Sequence, residues 1–149
     1  MHILRETYHD LFHNVPDCLP EFGGILGGKE GIVSRFFTDY GMQSEWMCAY
    51  IPNVDLLNRV ITEWQEDDVE FYGLFHSHFY GVETLSAQDR SYIKEIHAHL
   101  PAEILEMSFP LLVFPEKKII NYVSHRRSGD YEITREPVVI VENQSLGGI

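Results

Sequence analysis

The chain has 149 residues, of which 44% are hydrophobic and 23% are charged; this composition is typical of one folded globular domain and excludes a disordered, collagen-like or disulfide-rich chain. Its formal net charge of −12 repels phosphate backbones and anionic lipid, so we expect neither nucleic acid nor a membrane as a partner. The sequence contains no apolar run of the roughly 18 residues that a membrane-spanning helix needs.

The first half of the chain predicts two helices and three strands. Apolar side chains recur at helical spacing over residues 3–12, and Pro16 ends this opening helix. Apolar runs between glycine-rich turns then predict strands over residues 22–28, 32–38 and 46–51. A second helix is predicted over residues 54–65, where apolar positions share one face and Asn53 can cap the first turn.

The second half predicts a long strand, a capped helix and three further strands. An apolar and aromatic strand is predicted over residues 69–78, and after a loop Ser86 can cap a helix that stops before Pro101. The closing strands are predicted over residues 109–114, 119–124 and 131–141. The mixed order predicts an α/β fold of the α+β type: a single domain over residues 1–149, with a curved mixed β-sheet flanked by helices and a flexible tail from about residue 142.

Cysteine usage and the first ten residues predict a cytoplasmic protein. Cys18 and Cys48 lie far apart and outside any metal-binding spacing, so we expect reduced thiols, with a bridge between the two as the alternative. Charged and apolar residues alternate near the N-terminus, which is unlike a secretion signal.

The chemically informative stretch begins with His76 and His78, at the end of the predicted long strand. Residues two apart on a strand project to the same face, so both imidazoles can reach one ion. Asp89, in the first turn of the next helix, can add a carboxylate oxygen if the loop folds that turn back over the strand end. Two imidazoles and one carboxylate suit one Zn²⁺ per chain and leave a fourth tetrahedral position for water, which is typical of a catalytic site.

Each fragment also has a purely structural interpretation. A His-x-His pair on a strand is often a packing feature, and Ser86 with Asp89 can form a helix capping box. Their combination favours metal binding, because a cap needs no upstream histidines. His97 and His99 lie two apart in a predicted helix and point in different directions, so we expect them to be solvated with no metal role. The remaining histidines are assigned ordinary core or surface roles: His2, His9, His13 and His125. Glu83 in the loop is a competing candidate ligand, and we expect it to be a solvated loop charge.

The spacing of these residues resembles the signature of the JAMM (MPN+/JAB) zinc metalloprotease family, which is His-Ser/Thr-His, seven residues, Ser, two residues, Asp. The chain reads His76-Ser77-His78, seven residues, Ser86, two residues, Asp89. The family's catalytic glutamate lies upstream in Glu-x-x-Gly-x-Leu-x-Gly, and residues 21–28 match this pattern at every fixed position. The resemblance extends over roughly residues 1–125.

The resemblance implies an MPN-like (cytidine-deaminase-like) architecture and a zinc hydrolase in which His76, His78 and Asp89 hold the metal. It implies that Glu21 is the general base toward zinc-activated water and that Ser86 hydrogen-bonds the oxyanion. The implied reaction is hydrolysis of the peptide or isopeptide bond after the C-terminal Gly-Gly of a ubiquitin-like or sulfur-carrier protein, as in compact prokaryotic-type members.

Two departures from the family pattern concern the cleft. Many members have proline after the second histidine and before the serine, where this chain has Phe79 and Leu85. Phe79 and Tyr80 can line the leaving-group side or pack under the loop, and packing is expected for one of them. Two other functions stay open: a non-catalytic MPN-type scaffold and a zinc hydrolase acting on a small molecule. Gly147-Gly148 resembles the tail that the family cuts, and we predict a flexible end rather than self-processing.

Overall fold

The structure is a computed structural model that describes residues 1–42 and 50–143. The described residues form eight strands and three helices. In chain order these are β1 (His2–Leu4), α1 (Arg5–Asn14), β2 (Gly23–Lys29), β3 (Ile32–Asp39), α2 (Val54–Glu66), β4 (Glu70–His78), α3 (Ala87–His99), β5 (Glu106–Val113), β6 (Lys118–Arg127), β7 (Asp130–Glu136) and β8 (Val139–Val141). Cys48, Gly147 and Gly148 lie outside the described residues, as does most of the predicted strand 46–51.

All eight strands belong to one mixed sheet, in the order β7-β6-β5-β4-β2-β3-β1-β8. Strand β7 is therefore at one end of the sheet and β8 at the other, yet only Pro137 and Val138 separate them in sequence. Such a short connection spans at most about 11 Å, so the two ends of the sheet approach each other and the sheet is curled. The prediction of a single α+β domain with a curved mixed sheet is confirmed.

The helices cover both faces of the sheet and create two cores. Residues on the strands alternate between these cores, because successive side chains point to opposite faces. The core under α2 and α3 includes Ile25, Leu74 and Leu111. The core under α1 includes Leu26, Phe75 and Leu112. Each such buried side chain contributes roughly 1.5–3 kcal/mol, so packing on both faces stabilises the sheet that carries the site.

The candidate site residues His76, His78 and Asp89 lie where β4 ends and α3 begins. Strands β4 and β5 run parallel and α3 connects them, so this part of the chain is a βαβ unit. In such units ligands bind beyond the carboxyl ends of the strands, next to the helix N-terminus. Asn53 caps α2 as predicted, since its side chain accepts from the Leu56 amide at 3.2 Å. In the described part of the chain, no helix is long and apolar enough to cross a bilayer.

Two element predictions were wrong, and both concern pairing between distant segments. The opening helix begins at Arg5, because Ile3 is fully buried in β1, between β3 and β8. The predicted strand over residues 131–141 is two strands: Pro137 has no amide hydrogen to donate and ends the first. The second, β8, pairs with β1 at the other end of the sheet.

Candidate metal centre

His76 and His78 lie together at the end of β4, on the face covered by α2 and α3. Each is 6% exposed, and their Nε2 atoms are 3.0 Å apart. On β5 they pair with Leu111 and Val113, which belong to the core under the two helices. The alternation along the strand therefore brings both imidazoles to one point.

Asp89 completes this cluster from the first turn of α3. Its Oδ1 is 3.5 Å from Nε2 of His76, and its Oδ2 is 3.3 Å from Nε2 of His78. The capping box is also present: the Ser86 amide donates to Asp89 Oδ2 (2.9 Å), and the Asp89 amide donates to Ser86 Oγ (3.0 Å). The capping-box interpretation is confirmed. It is compatible with metal binding, because the cap locks the carboxylate that faces the histidines.

Glu21 approaches the cluster from the segment before β2. Its carboxylate and the ring nitrogens of His76 and His78 all lie within 4.8 Å of one another. The neighbouring residue Phe22 is held twice by Ser77, since its amide donates to Ser77 Oγ (2.9 Å) and its carbonyl accepts from the Ser77 amide (2.8 Å). The serine between the two histidines therefore places Glu21 at the metal centre.

The donor set fits a zinc ion. Zinc bonds of about 2.0–2.2 Å in a tetrahedron place ligand atoms about 3.3–3.5 Å apart. The two Nε2 atoms are 3.0 Å apart, and each faces a different oxygen of Asp89: Oδ1 is 3.5 Å from His76, and Oδ2 is 3.3 Å from His78. His78 Nδ1 is 3.2 Å from the Val82 carbonyl, which can only accept, so we assign the hydrogen to Nδ1. In a neutral His78 the Nε2 lone pair then faces the Asp89 carboxylate, and either a proton on Nε2 or a shared metal ion would satisfy both acceptors.

Two carboxylates compete to be the third ligand. Each oxygen of Asp89 faces one histidine, and its cap locks the carboxylate, whereas Glu21 lies before β2 with its carboxylate within 4.8 Å of the histidine ring nitrogens. Either carboxylate could therefore serve as the third ligand, and the lock on Asp89 favours Asp89.

The two carboxylates also differ in protonation. Burial raises the pKa of Asp89, but hydrogen bonds from His76 and His78 and from the Ser86 amide outweigh burial and hold it well below its usual range. The pKa of Glu21 is raised, because the effect of burial exceeds the opposing effect of the two histidines. Asp89 is thus an anionic carboxylate that could act as a metal ligand. The pKa of Glu21 is closer to that of a carboxyl group that takes up and releases a proton during catalysis.

The centre lies in a cleft of about 420 Å³ that Ser86, Tyr80, Tyr50 and Tyr92 help to line. The Ser86 hydroxyl accepts from the Asp89 amide, so its own hydrogen is free to donate into the cleft. Sequence reasoning missed Tyr50 and Tyr92 as cleft residues, since neither belongs to a motif.

Of the two aromatic residues after the histidines, one is buried and the other is exposed, and packing was predicted for one of them. Phe79 is buried and stacks on Phe114, with ring centroids 5.7 Å apart. Tyr80 is 83% exposed at the rim of the cleft. One residue therefore packs under the loop, and the other is available for contacts.

Comparisons with known proteins identify the fold only. No family model and no curated protein matches the chain. The solution structure of protein DSY2949 from Desulfitobacterium hafniense is similar to it, with a TM-score of 0.68 and 17% sequence identity over 95% of this chain and 92% of that one. At this identity the likeness concerns the fold and carries no function.

The prediction that His97 is solvated was wrong. His97 is fully buried, because the end of α3 packs on β6: its Nε2 donates to the Ile104 carbonyl (2.8 Å) and its Nδ1 lies 2.8 Å from Ser124 Oγ. His99 is exposed, and neither residue joins the metal centre. Glu83 turns away from the histidines and pairs with Lys118 at 3.0 Å.

Proposed function

We propose that the chain is a zinc metallopeptidase of the JAMM (MPN+/JAB) type with an MPN-like architecture. Its reaction would be hydrolysis of the peptide or isopeptide bond after the C-terminal Gly-Gly of a ubiquitin-like or sulfur-carrier protein. The observation that carries the proposal is the convergence of His76, His78 and Asp89, whose facing nitrogen and oxygen atoms are 3.0–3.5 Å apart, with Glu21 beside them. Both sequence motifs of the family meet at this one point.

The roles of the residues follow from their positions. Zinc, when bound, supplies Lewis-acid chemistry that acidifies water and polarises a carbonyl group. The Glu21 carboxylate would accept the proton of the attacking water and later donate it to the leaving amine. Ser86 donates its hydroxyl hydrogen to the substrate's carbonyl oxygen as negative charge develops there.

The substrate class is supported by the motif match and is compatible with the cleft. A Gly-Gly segment is extended and lacks side chains, and a cleft of about 420 Å³ accommodates a few such residues. A volume in this range also suits a small-molecule substrate, so the experiment must distinguish the two.

The test has two stages. Zinc content is first measured on protein purified without chelator or affinity tag, and about one zinc per chain is expected for a single three-ligand site. The zinc-loaded protein is then incubated with a panel of Gly-Gly-X fusions of ubiquitin-like and sulfur-carrier proteins, and products are identified by intact mass. Cleavage directly after the second glycine, absent in Glu21→Ala, is the expected result.

Each alternative has its own signature. Failure to bind zinc, even after zinc is added, would support the non-catalytic scaffold. One zinc per chain without cleavage of any fusion would redirect the search to a small-molecule hydrolase.

A further inference from the structure

The loop over residues 79–85 forms one wall of the cleft and connects His78 to the helix that carries Asp89. It also touches the metal centre directly, because the Val82 carbonyl oxygen is 3.2 Å from His78 Nδ1. A carbonyl oxygen can only accept, so this contact favours a hydrogen on Nδ1 and holds the plane of the ring. The other ring nitrogen, Nε2, then points toward His76 and Asp89. The position of the loop therefore sets the orientation of His78.

Tyr122 on β6 anchors this loop one residue further along the chain. Its hydroxyl donates to the Glu83 carbonyl over 2.6 Å. The tyrosine is 7% exposed and belongs to the core under α2 and α3, so its ring is held on the same face of the sheet as the two histidines. Consecutive peptide groups are planar and are joined by only two soft dihedral angles. Fixing the carbonyl of Glu83 therefore restricts the carbonyl of Val82.

The side chain of Glu83 also binds the sheet, through ion pairs at the surface. Its carboxylate is 3.0 Å from Lys118 Nζ and 3.4 Å from Arg135 Nη2, and the three side chains are 34%, 43% and 56% exposed. Water screens ion pairs at this exposure, so they contribute little. The hydrogen bond from Tyr122 is partly buried and has less competition from water. The hydroxyl group is therefore the main anchor of the loop.

From this geometry we propose that Tyr122 is a positioning residue for His78, acting through the consecutive carbonyl groups of Glu83 and Val82. The consequence for zinc rests on the metal centre of the proposed function, whereas the anchoring of the loop does not. Groups that hold a metal ligand in place typically change metal affinity by about 10- to 100-fold. Loss of the Tyr122 hydroxyl should therefore loosen the loop and weaken zinc binding.

The anchoring is tested by amide hydrogen exchange, measured by NMR on the chelator-treated chain. Two loop amides report on it: Gly81 donates to the Phe114 carbonyl (3.0 Å), and Val82 donates to the Phe79 carbonyl (3.2 Å). Tyr122→Phe removes the hydroxyl and keeps the ring in the core. We expect exchange at residues 81 and 82 to become at least about 10-fold faster in this variant. The amides of β5 should exchange as in the wild type, which separates loosening of the loop from unfolding of the sheet.

Two control variants match this change. Tyr8→Phe removes a hydroxyl that also donates to a backbone carbonyl, that of Lys117 at 2.7 Å, on the face covered by α1. Glu83→Gln removes the charge of the loop residue and keeps its carbonyl group. Exchange at residues 81 and 82 should stay within about twofold of the wild type in both variants, since one bond lies elsewhere and the other contacts are exposed ion pairs.

The positioning role is tested by zinc affinity, measured by competition with a chromophoric chelator. Tyr122→Phe should raise the Kd for zinc by about 10-fold or more. Tyr8→Phe and Glu83→Gln should keep the Kd within about twofold of the wild type.

The outcomes have distinct meanings. Unchanged exchange at residues 81 and 82 in Tyr122→Phe would overturn the anchoring, and faster exchange with wild-type zinc affinity would overturn the positioning role. A rise in Kd as large in either control as in Tyr122→Phe would show that the hydroxyl has no specific role, and would also overturn the proposal. If the wild type binds zinc but cleaves no Gly-Gly fusion, the proposed peptidase function fails, and the zinc affinities still decide whether Tyr122 positions His78.

Discussion

Glu21 and Asp89 are both carboxylates within reach of His76 and His78, and their surroundings give them different roles. Asp89 is locked by reciprocal hydrogen bonds with Ser86 at the start of α3. Glu21 precedes β2, and its pKa is raised, chiefly by burial. A locked anionic carboxylate suits a ligand, whereas a carboxyl group with a raised pKa suits a base that takes up and returns a proton.

Single substitutions should separate these two roles. Glu21→Ala is expected to keep about one zinc per chain and to lower kcat by about 10²–10⁴, the usual contribution of general acid–base catalysis. Asp89→Ala and His78→Ala should lose zinc and turnover together, because each removes one of three ligands. Zinc content and kcat are measured on the same preparation. An Asp89→Ala protein with wild-type zinc affinity would reassign Glu21 as the third ligand.

Ser86 caps α3 through its hydroxyl oxygen, and the proposed function gives the same hydroxyl group a catalytic role. Its oxygen accepts from the Asp89 amide, and the residue lines the cleft. Ser86→Ala should lower the free energy of unfolding by about 1 kcal/mol through the lost helix cap. It should also lower kcat by about 10²–10³ through the lost oxyanion donor. Urea unfolding and steady-state kinetics measure the two effects.

Ser86→Gly provides the control, since glycine replaces a capping residue at a cost of only about a few tenths of a kcal/mol. We expect stability close to that of the wild type and the same loss of kcat as in Ser86→Ala. If kcat instead follows stability across the two variants, the hydroxyl acts only as a helix cap.

At the scale of elements, α3 is held at both ends, and this fixes Asp89 above β4. The capping box holds its first turn. At its far end Arg126 donates to the carbonyls of His97 (2.7 Å) and Leu100 (3.3 Å), and the buried His97 ring joins α3 to β6 through Ser124. The placement of Asp89 therefore depends in part on contacts at the opposite end of α3.

The two histidines near the end of α3 should respond differently to substitution. His97→Ala is expected to lower the free energy of unfolding by several kcal/mol, because each buried partner left unsatisfied costs about 1–3 kcal/mol. His99→Ala, at an exposed position two residues further on, should stay within about 0.5 kcal/mol of the wild type. Urea unfolding of both variants makes the comparison. Similar small losses in both would show that α3 does not depend on this anchor.

Across the whole molecule, the features that depend on local spacing could be predicted from the sequence. The shared face of His76 and His78 follows from strand geometry, and the Ser86–Asp89 cap follows from helix geometry. The burial of His97 could not be predicted in this way, because it depends on Ser124 on another element. The contact between Tyr50 and Asp39 likewise joins a strand end to an irregular segment and leaves no periodic signal.

Sheet order escaped prediction for a related reason. Strands β1 and β8 have three residues each, too few to show a period of two. They pair with each other from opposite ends of the chain. Only the folded sheet brings them together. The break between β7 and β8 at Pro137 therefore depends on a pairing that the local sequence does not reveal.

Zinc would join three separate parts of the fold: the end of β4, the start of α3 and the segment before β2. A ligand that binds only the folded state stabilises it, by about 2.7 kcal/mol at 100 times its Kd. We therefore expect zinc to raise Tm and a chelator to reverse the increase. His78→Ala, which lacks a ligand, should show no response to either.

This stabilisation should depend on pH, because zinc competes with a proton at His78. Burial lowers the pKa of His78, but hydrogen bonding and attraction to Asp89 exceed this effect, so the net shift is upward from 6.5. In the metal-free chain the protonated His78–Asp89 pair stabilises the fold at low pH, and this contribution is lost as pH rises through the raised pKa. In the zinc-loaded chain His78 must be neutral, so the sign reverses and the zinc contribution falls as the solution becomes acidic. The difference in Tm between zinc-loaded and chelator-treated protein should therefore shrink from about pH 8 to about pH 6; a difference that stays constant would mean that zinc is held without a histidine.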